Sequence, residues 1–375
     1  LTIKKIAFSD KSGLQLRDLH FKVDANKQEA RLSRFRMALP HSDLQLADLH
    51  ASYRIKDGKL DMGSLQFDGG IKPSEVTLSD ISCLVPALRY FNESLQFSCR
   101  FSGTSTSLHC PKLIFKTRSG NILLKANGRV AKWEQERRYA TAKYTNAATR
   151  TNGNSGSLRW NANIETLKVS AEGIQEIAKN LGKNGNLGKG SKVSIPKEVL
   201  RLGNIYYKGV AYGRGKLIGT KGNLHTDVGD VSLRAEKDGK NLNAHIDTKG
   251  INIGRILDNP KFGIIAATLY AKGNTQRLYA KGSIPRFDFN KYSYRNIQID
   301  GSYNKGLIDG LASITDPNIN LRAQGSYSIP RKEYDATINL NHLQPSILGL
   351  KTADKTYCLD NIQLSAKNKG TDSYL

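Results

Sequence analysis

No stretch of this 375-residue chain approaches the ~18 consecutive apolar residues that a membrane-spanning helix needs. Mean hydropathy is negative, and a polytopic helical membrane protein is excluded. Leu1 to Val23 carries charges throughout and has no apolar h-region, so no secretory signal is legible there. The chain opens and stops in mid-pattern, and reads as a fragment of something longer. Four cysteines are too few for a disulfide scaffold. Carboxylates are also short: 33 Asp+Glu stand against 57 Lys+Arg, a formal net charge of +24. Such an excess attracts polyanions, whether nucleic acid, anionic lipid headgroups or lipopolysaccharide.

Catalytic signatures are missing as well. The seven histidines (His20, His41, His50, His109, His225, His245 and His342) show no HxxxH or HxH spacing, so no metal site is expected. There is no GxSxG, no carboxylate pair and no Cys-His arrangement at a recognisable spacing. The Gly/Lys-rich stretch 182–192 fails the phosphate-loop spacing around Gly188, Lys189 and Gly190, which removes the nucleotide reading. Asp258-Asn259-Pro260 and Asp316-Pro317-Asn318 read as turn formers. The chain reads as a non-enzyme without cofactor.

What is present is a period of two. Leu14, Leu16; Leu19, Phe21, Val23; Val231, Leu233, Ala235; Leu242, Ala244, Ile246; and Ile297, Ile299 alternate with polar neighbours, the mark of strands with one dry and one wet face. Lys56-Asp57-Gly58, Lys237-Asp238-Gly239, Asn304-Lys305-Gly306 and Asn368-Lys369-Gly370 supply hairpin turns. Helical spacing is brief: Ile81, Leu84, Val85 and Leu88 within 79–91, interrupted by Pro86; Ile174, Ile177 and Leu181 in a helix from Gly173 that Gly182 ends; and one or two turns from Ile253 to Asp258. The expected organisation is β repeats over 1–78, a short helix over 79–91, and β repeats over 92–172 with a mobile loop at 139–157. A short helix and Gly/Lys loop follow over 173–192, then β repeats over 193–375.

Repetition sharpens this. Leu14-Gln15-Leu16-Arg17-Asp18-Leu19-His20 recurs as Leu44-Gln45-Leu46-Ala47-Asp48-Leu49-His50, with a looser copy from Val76 to Ile81. Asn296-Ile297-Gln298-Ile299 is echoed by Asn361-Ile362-Gln363-Leu364. A period near 30 suggests stacked β units. After Leu16 and Leu46 the apolar phase slips by one residue, as a β-bulge, a corner, or the end of one strand and the start of the next would require. A corner repeated from unit to unit bends a sheet into a trough. The expected fold is all-β: an elongated antiparallel array curled into an apolar-lined trough, with two or three short helical insertions. Its lining candidates are Leu14, Leu16, Leu44, Leu46, Val231, Leu233, Leu242, Ile246, Ile297, Ile299, Ile362 and Leu364; the alternative is that they fill a closed sandwich core. A turn at 103–106 sets Phe101 opposite Leu108, Leu95 opposite Ile114 and Cys99 opposite Cys110. The two cysteines are then either a cross-strand disulfide or two small buried thiols.

Three stretches carry a family resemblance. Ile251-Asn252-Ile253-Gly254-Arg255-Ile256-Leu257-Asp258-Asn259-Pro260 with Phe262-Gly263, the run Ile284 to Ile297, and Gly301-Ser302-Tyr303-Asn304-Lys305-Gly306 through Asp316-Pro317-Asn318 resemble elements of TamB-like proteins, within the AsmA-like group of the Gram-negative envelope. The resemblance spans most of the chain, most strongly from Gly250 to Pro330, and implies a middle fragment of a translocation and assembly module. It implies a periplasmic segment of an inner-membrane-anchored protein, with phospholipid as cargo and an Omp85-type outer-membrane barrel as partner. The function it implies is carriage of phospholipid acyl chains along the trough between the two membranes, or a scaffold for outer-membrane protein assembly. No nucleic acid is expected as a partner, because basic residues are spread along the chain without a reader motif.

Overall fold

Alternating side chains and turn-forming glycines produce strands almost throughout: in a computed structural model, 74% of the chain is strand. The structure describes all residues except 11–13, 83–92, 133–157, 184–194, 350–353, 355 and 369–375. The chain divides into two compact units, Leu1–Gly215 and Lys216–Leu375. The first holds β1 (Thr2–Ser9), β2 (Gln15–Ala25), β3 (Glu29–Ala38), β4 (Asp43–Gln45), β5 (Leu49–Lys56), β6 (Lys59–Thr77), β7 (Ser94–Thr104), β8 (Ser107–Thr117), β9 (Ile122–Lys132), β10 (Leu158–Val169) and β11 (Ile205–Arg214). The second holds β12 (Leu217–Thr226), β13 (Gly229–Asp238), β14 (Asn241–Asn252), β15 (Phe262–Gly273), β16 (Arg277–Phe289), β17 (Tyr292–Asn304), β18 (Leu307–Asp316), β19 (Ile319–Ser328), β20 (Glu333–Leu343) and β21 (Leu359–Asn368).

Within each unit every described pairing is antiparallel and joins strands that follow one another along the chain, β4 and β5 together serving as one partner of β3 and of β6. This is the expected meander. Asp57 and Gly58, with φ of 53° and 73°, make one of the expected tight turns, and Lys305 and Gly306 (48° and 94°) make another. Lys369 and Gly370 lie outside the described residues, as do the loop 139–157 and most of 182–192.

The phase slips have two structural causes. After Leu16 the slip is a bulge: Leu16 pairs with Phe8 and Leu19 with Ile6, so Arg17 and Asp18 together face one residue of β1. After Leu46 it is a break in the strand, with Leu46 held by a bridge to Ile71 before β5 begins. Similar bulges recur in both units. They fall at Arg34 of β3, Lys72-Pro73 of β6, Pro111 of β8, Glu165 of β10, Lys249 of β14, Pro285 of β16 and Asn341 of β20, while β18 runs without one. A bulge leaves one backbone position out of the ladder, which is where proline, lacking an N–H, fits. Opposite two of these bulges stand Asn296 and Asn361, both left-handed at φ 51° and 57°. The repeated Asn-Ile-Gln motif is therefore a repeated backbone kink.

Helices are few. The expected 79–91 helix begins as a single 3₁₀ turn, Leu78–Ile81, which also ends the looser third repeat copy at Thr77. Leu84, Val85 and Leu88 lie outside the described residues. Helix α1 (Ala171–Lys183) starts two residues before the expected Gly173, because Ser170 Oγ accepts from the Gly173 N–H at 3.1 Å and caps it. It runs through Gly182, at the ~1 kcal/mol that an interior glycine costs. Ile174 is buried where α1 meets the loop at Asn121, at the strand ends. Helix α2 spans Lys197–Leu200, and α3, Ile253–Leu257, matches the expected turn before Pro260, capped by Asn252 Oδ1 accepting from Arg255 N at 3.0 Å.

The aromatic residues at one end of β15–β17, Phe262, Phe287, Phe289, Tyr292 and Tyr294, cluster with centroids 4.8–6.2 Å apart. Beside them the buried Asp316 accepts from Tyr292 OH, from Arg295 N at 3.1 Å and from Asn318 N at 3.0 Å, which realises the expected Asp-Pro-Asn turn. Removing this carboxylate strands two backbone N–H groups. Asp316→Ala is expected to cost about 2–4 kcal/mol, read as a lower urea midpoint. Asp309→Ala, on an exposed site of the same strand, serves as control and should move it by less than ~0.5 kcal/mol.

Candidate functional site

Because paired residues in an antiparallel ladder share a face, the registers of the second unit define its two surfaces. One is apolar from β13 to β21. Leu233, Ile246, Leu269, Gly282, Ile299, Ala312, Ala323, Ile338 and Leu364 stand in one cross-strand row. Toward the bulges a second row, Ile284, Ile297, Ile314, Leu321, Leu340 and Ile362, is more enclosed, with Ile297 and Leu340 buried. On the other side runs a row of alanine and glycine alone: Ala235, Ala244, Ala271, Ala280, Gly301, Gly310, Gly325, Ala336 and Ala366. At ~4.8 Å per strand this row is about 38 Å long.

The small residues form a floor. A concavity of about 440 Å³ opens over Ala280, Gly301, Gly310, Ala312, Ala323, Gly325 and Ala336, walled by Ile299 and Ile338. A Cβ at Gly325 would stand 2.7 Å from the Asp335 carbonyl, and one at Gly282 would stand 2.6 Å from Leu269 Cδ2. A larger side chain at Gly325 would fill the floor and press on the backbone of the next strand, whereas one at Gly282, in the neighbouring row, would displace the Leu269 and Ile299 side chains.

Nothing among the described residues covers this face. Each strand touches its ladder neighbours, and no second layer packs across them. Leu364 is 55% exposed, Ile246 39% and Ile338 36%. The closed-core alternative is thus not what the described residues of this unit build. Of the twelve lining candidates, Val231, Leu233, Leu242, Ile246, Ile297, Ile299, Ile362 and Leu364 share this apolar face. The other four belong to the first unit: Leu16 is buried opposite Phe8, Leu44 pairs with Met37, Leu46 bridges to Ile71, and Leu14 is half-buried just before β2. The alanine–glycine row was not among the candidates. Its signal was legible as small residues two positions from a bulky one, as in Ile299-Asp300-Gly301 and Ala336-Thr337-Ile338.

The opposite face of the second unit is polar. In the first unit a concavity of about 880 Å³ is lined by His50, Asp68, His109, Asn127, Arg129 and Asn161. His50 Nε2 lies 3.3 Å from Glu29 and Nδ1 3.6 Å from Asp68; His20 lies 3.1 Å from Asp18. His41, Ser42 and Asp80 come together, yet imidazole (2.9 Å) and hydroxyl (2.6 Å) both address the buried carboxylate. Ser42 Oγ also accepts from Thr77 N at 2.9 Å, so its hydroxyl is engaged on both sides rather than paired with a base. No group of three or more His, Cys, Asp or Glu side chains among the described residues could hold a metal ion. No helix among them is long and apolar enough to cross a membrane.

The cysteine register needs correction. The β7–β8 turn is two residues long, so Gly103 pairs with Leu108, and the Pro111 bulge then shifts the ladder. Cys99 faces Leu113, Leu95 faces Thr117, and Cys110 faces Gly128. Both thiols are free, and burial pushes both upward in pKa. Alkylation in denaturant without reductant is therefore expected to label both. Peptide mapping that finds Cys99 and Cys110 both unlabelled would show that they are bonded.

No family model, curated protein or solved structure matches the chain.

One charged group at the aromatic end has a clear electrostatic consequence. Hydrogen bonds from Arg286 (2.8 and 2.9 Å) hold the Asp288 carboxyl below its ordinary value of 3.8, with Ser293 and Ile264 N adding to the effect. A depressed carboxylate contributes stability above the unfolded value and loses it as pH falls through the folded one. The urea midpoint of the wild type should drop on acidification below about pH 4, and that of Asp288→Asn should drop less; parallel curves would show that Asp288 is not a source of the acid sensitivity.

Proposed function

We propose that this chain is a non-enzymatic carrier surface, whose apolar sheet face holds the acyl chains of phospholipid. The observation that carries the reading is the uncovered apolar face of β13–β21. Contiguous apolar surface of that extent aggregates unless something occupies it. An acyl chain suits it, since each buried methylene gains ~0.8 kcal/mol without directional demands. The alanine–glycine floor suits it further, because a polymethylene chain needs depth and carbon contacts but no polar partner. Transfer along such a surface needs no catalytic residue.

The TamB-like resemblance supplies the setting: a periplasmic segment of an envelope-biogenesis protein, working between inner and outer membrane. The second reading, an assembly scaffold for outer-membrane proteins together with an Omp85-type barrel, draws on a different feature. Among the described residues the outer edge of β21 pairs with no strand, and an open edge is what a partner strand adds to.

The carrier reading is tested at Leu233. On an uncovered face an arginine there reaches water by snorkelling, whereas in a closed core it would be an unpaired buried cation. Leu233→Arg is expected to keep the wild-type circular dichroism spectrum. It should lose photo-crosslinking to lipid from probes at Ile246 and Leu269, where the wild type gives adducts. Unfolding of the variant, or a wild type that never yields lipid adducts, would replace the carrier reading with the scaffold.

A further inference from the structure

The positive charge of the strands is concentrated rather than spread. The ten strands of the second unit carry equal numbers of basic and acidic residues. By contrast β7–β11 carry ten Lys or Arg against the single carboxylate of Glu165. The registers place nearly all of these cations on the polar face of the first unit. Arg100 pairs with Lys112, Arg159 with Arg214, and Arg129 with His109, while Lys125 pairs with Ile114 on the same face.

Like charges placed directly opposite across a ladder destabilise it; two such pairs occur within these five strands, and while the second unit also sets Lys221 opposite Arg234, its strands hold as many carboxylates as cations. Among the described residues no carboxylate forms an ion pair with Arg100, Lys112, Lys125 or Arg129. Glu165 is engaged by Asn127 Nδ2 at 2.9 Å instead. Arg100, Lys112, Lys125 and Arg129 are all exposed.

We propose that the polar face of β7–β11 binds an anionic lipid bilayer surface. The cations occupy two dimensions, about 19 Å across the five strands at ~4.8 Å each and several residues along each strand. That matches a plane of headgroup phosphates better than the single line of charge of a nucleic-acid strand. Stacking platforms are also lacking at the centre of the patch, where single-stranded nucleic acid would need them; Tyr206 and Tyr212 both lie on β11, at its margin. The site is independent of the apolar face, which belongs to the second unit, so either can fail without the other.

The test is sedimentation of the whole chain with vesicles of phosphatidylglycerol and phosphatidylethanolamine, against vesicles of phosphatidylcholine alone. The wild type should bind the anionic vesicles and be released by 0.5 M salt, as screening requires. The combined variant Arg100→Gln, Lys112→Gln, Lys125→Gln and Arg129→Gln should bind at least ~100-fold more weakly, with unchanged circular dichroism. A control with Lys221, Arg234, Lys272 and Arg322 changed to Gln removes the same charge from the second unit and should retain most of the binding. Equal loss in both variants would reduce the effect to net charge and overturn the site. So would a wild type that prefers neither vesicle, or one that binds single-stranded DNA in place of anionic vesicles. Should the four-Gln variant not fold, the same arginines and lysines are probed by their protection from acylating and dicarbonyl reagents on wild type with anionic vesicles. No protection would overturn the proposal.

Discussion

The structure rests on one constraint: each strand satisfies its backbone through its ladder neighbours, and nothing among the described residues of either unit lies across the sheet. In a sandwich, two apolar faces bury each other, and the core decides which residues are tolerated. Here burial comes from adjacent side chains within one face, and few apolar side chains are fully buried. In the second unit these gather toward the bulge end, at Ala267, Ile297, Ile319 and Leu340. The face grades from a packed margin at the aromatic cluster to an open field at Leu242, Ile246 and Leu364. Stability and exposure of apolar surface are thus assigned to different rows of the same sheet.

The bulges make that division possible. An extra residue in a strand re-aims the side chains beyond it and sharpens the local twist. At Pro73, Pro111 and Pro285 the position is marked by a residue that cannot donate to the ladder. At Asn296 and Asn361 it is marked across the ladder by a residue that tolerates the left-handed region. Different residues thus serve the same backbone event, which explains why the repeat is so faint in sequence while it recurs in structure. The Asp316 and Asp80 carboxylates act similarly at strand ends, accepting from the backbone N–H groups of Arg295, Asn318 and His41 that no strand pairs.

Charge follows the same logic of one face for one purpose. The polar face of the second unit carries charges of both signs, with Asp335 2.7 Å from Lys367 across one ladder and Lys221 opposite Arg234 across another. That of β7–β11 sets like charges opposite one another. A sheet that needs no core on its polar side can carry such a field at little structural cost, because the cations stay in water until an anion meets them.

Much of this was legible in the residues. Period-two alternation fixes which side chains share a face within a strand, so Val231 with Leu233, and Ile297 with Ile299, were placed together before any register was known. Asp-Gly and Lys-Gly turns, the Asn252 cap and the Asp316 turn are local chemistry, set by neighbours a few residues away. What the sequence could not supply is the pairing between strands. The two-residue β7–β8 turn and the one-residue bulge at Pro111 together move Cys99 from Cys110 to Leu113, and no local signal decides whether a phase slip is a bulge, as after Leu16, or a break, as after Leu46. The alanine–glycine floor and the concentration of cations on one face exist only once nine or five separate strands are brought into register. Alternation is a property of a single strand, set by its own backbone geometry. Rows, floors and charged faces are properties of the ladder, and only hydrogen bonding between strands distant in sequence decides them.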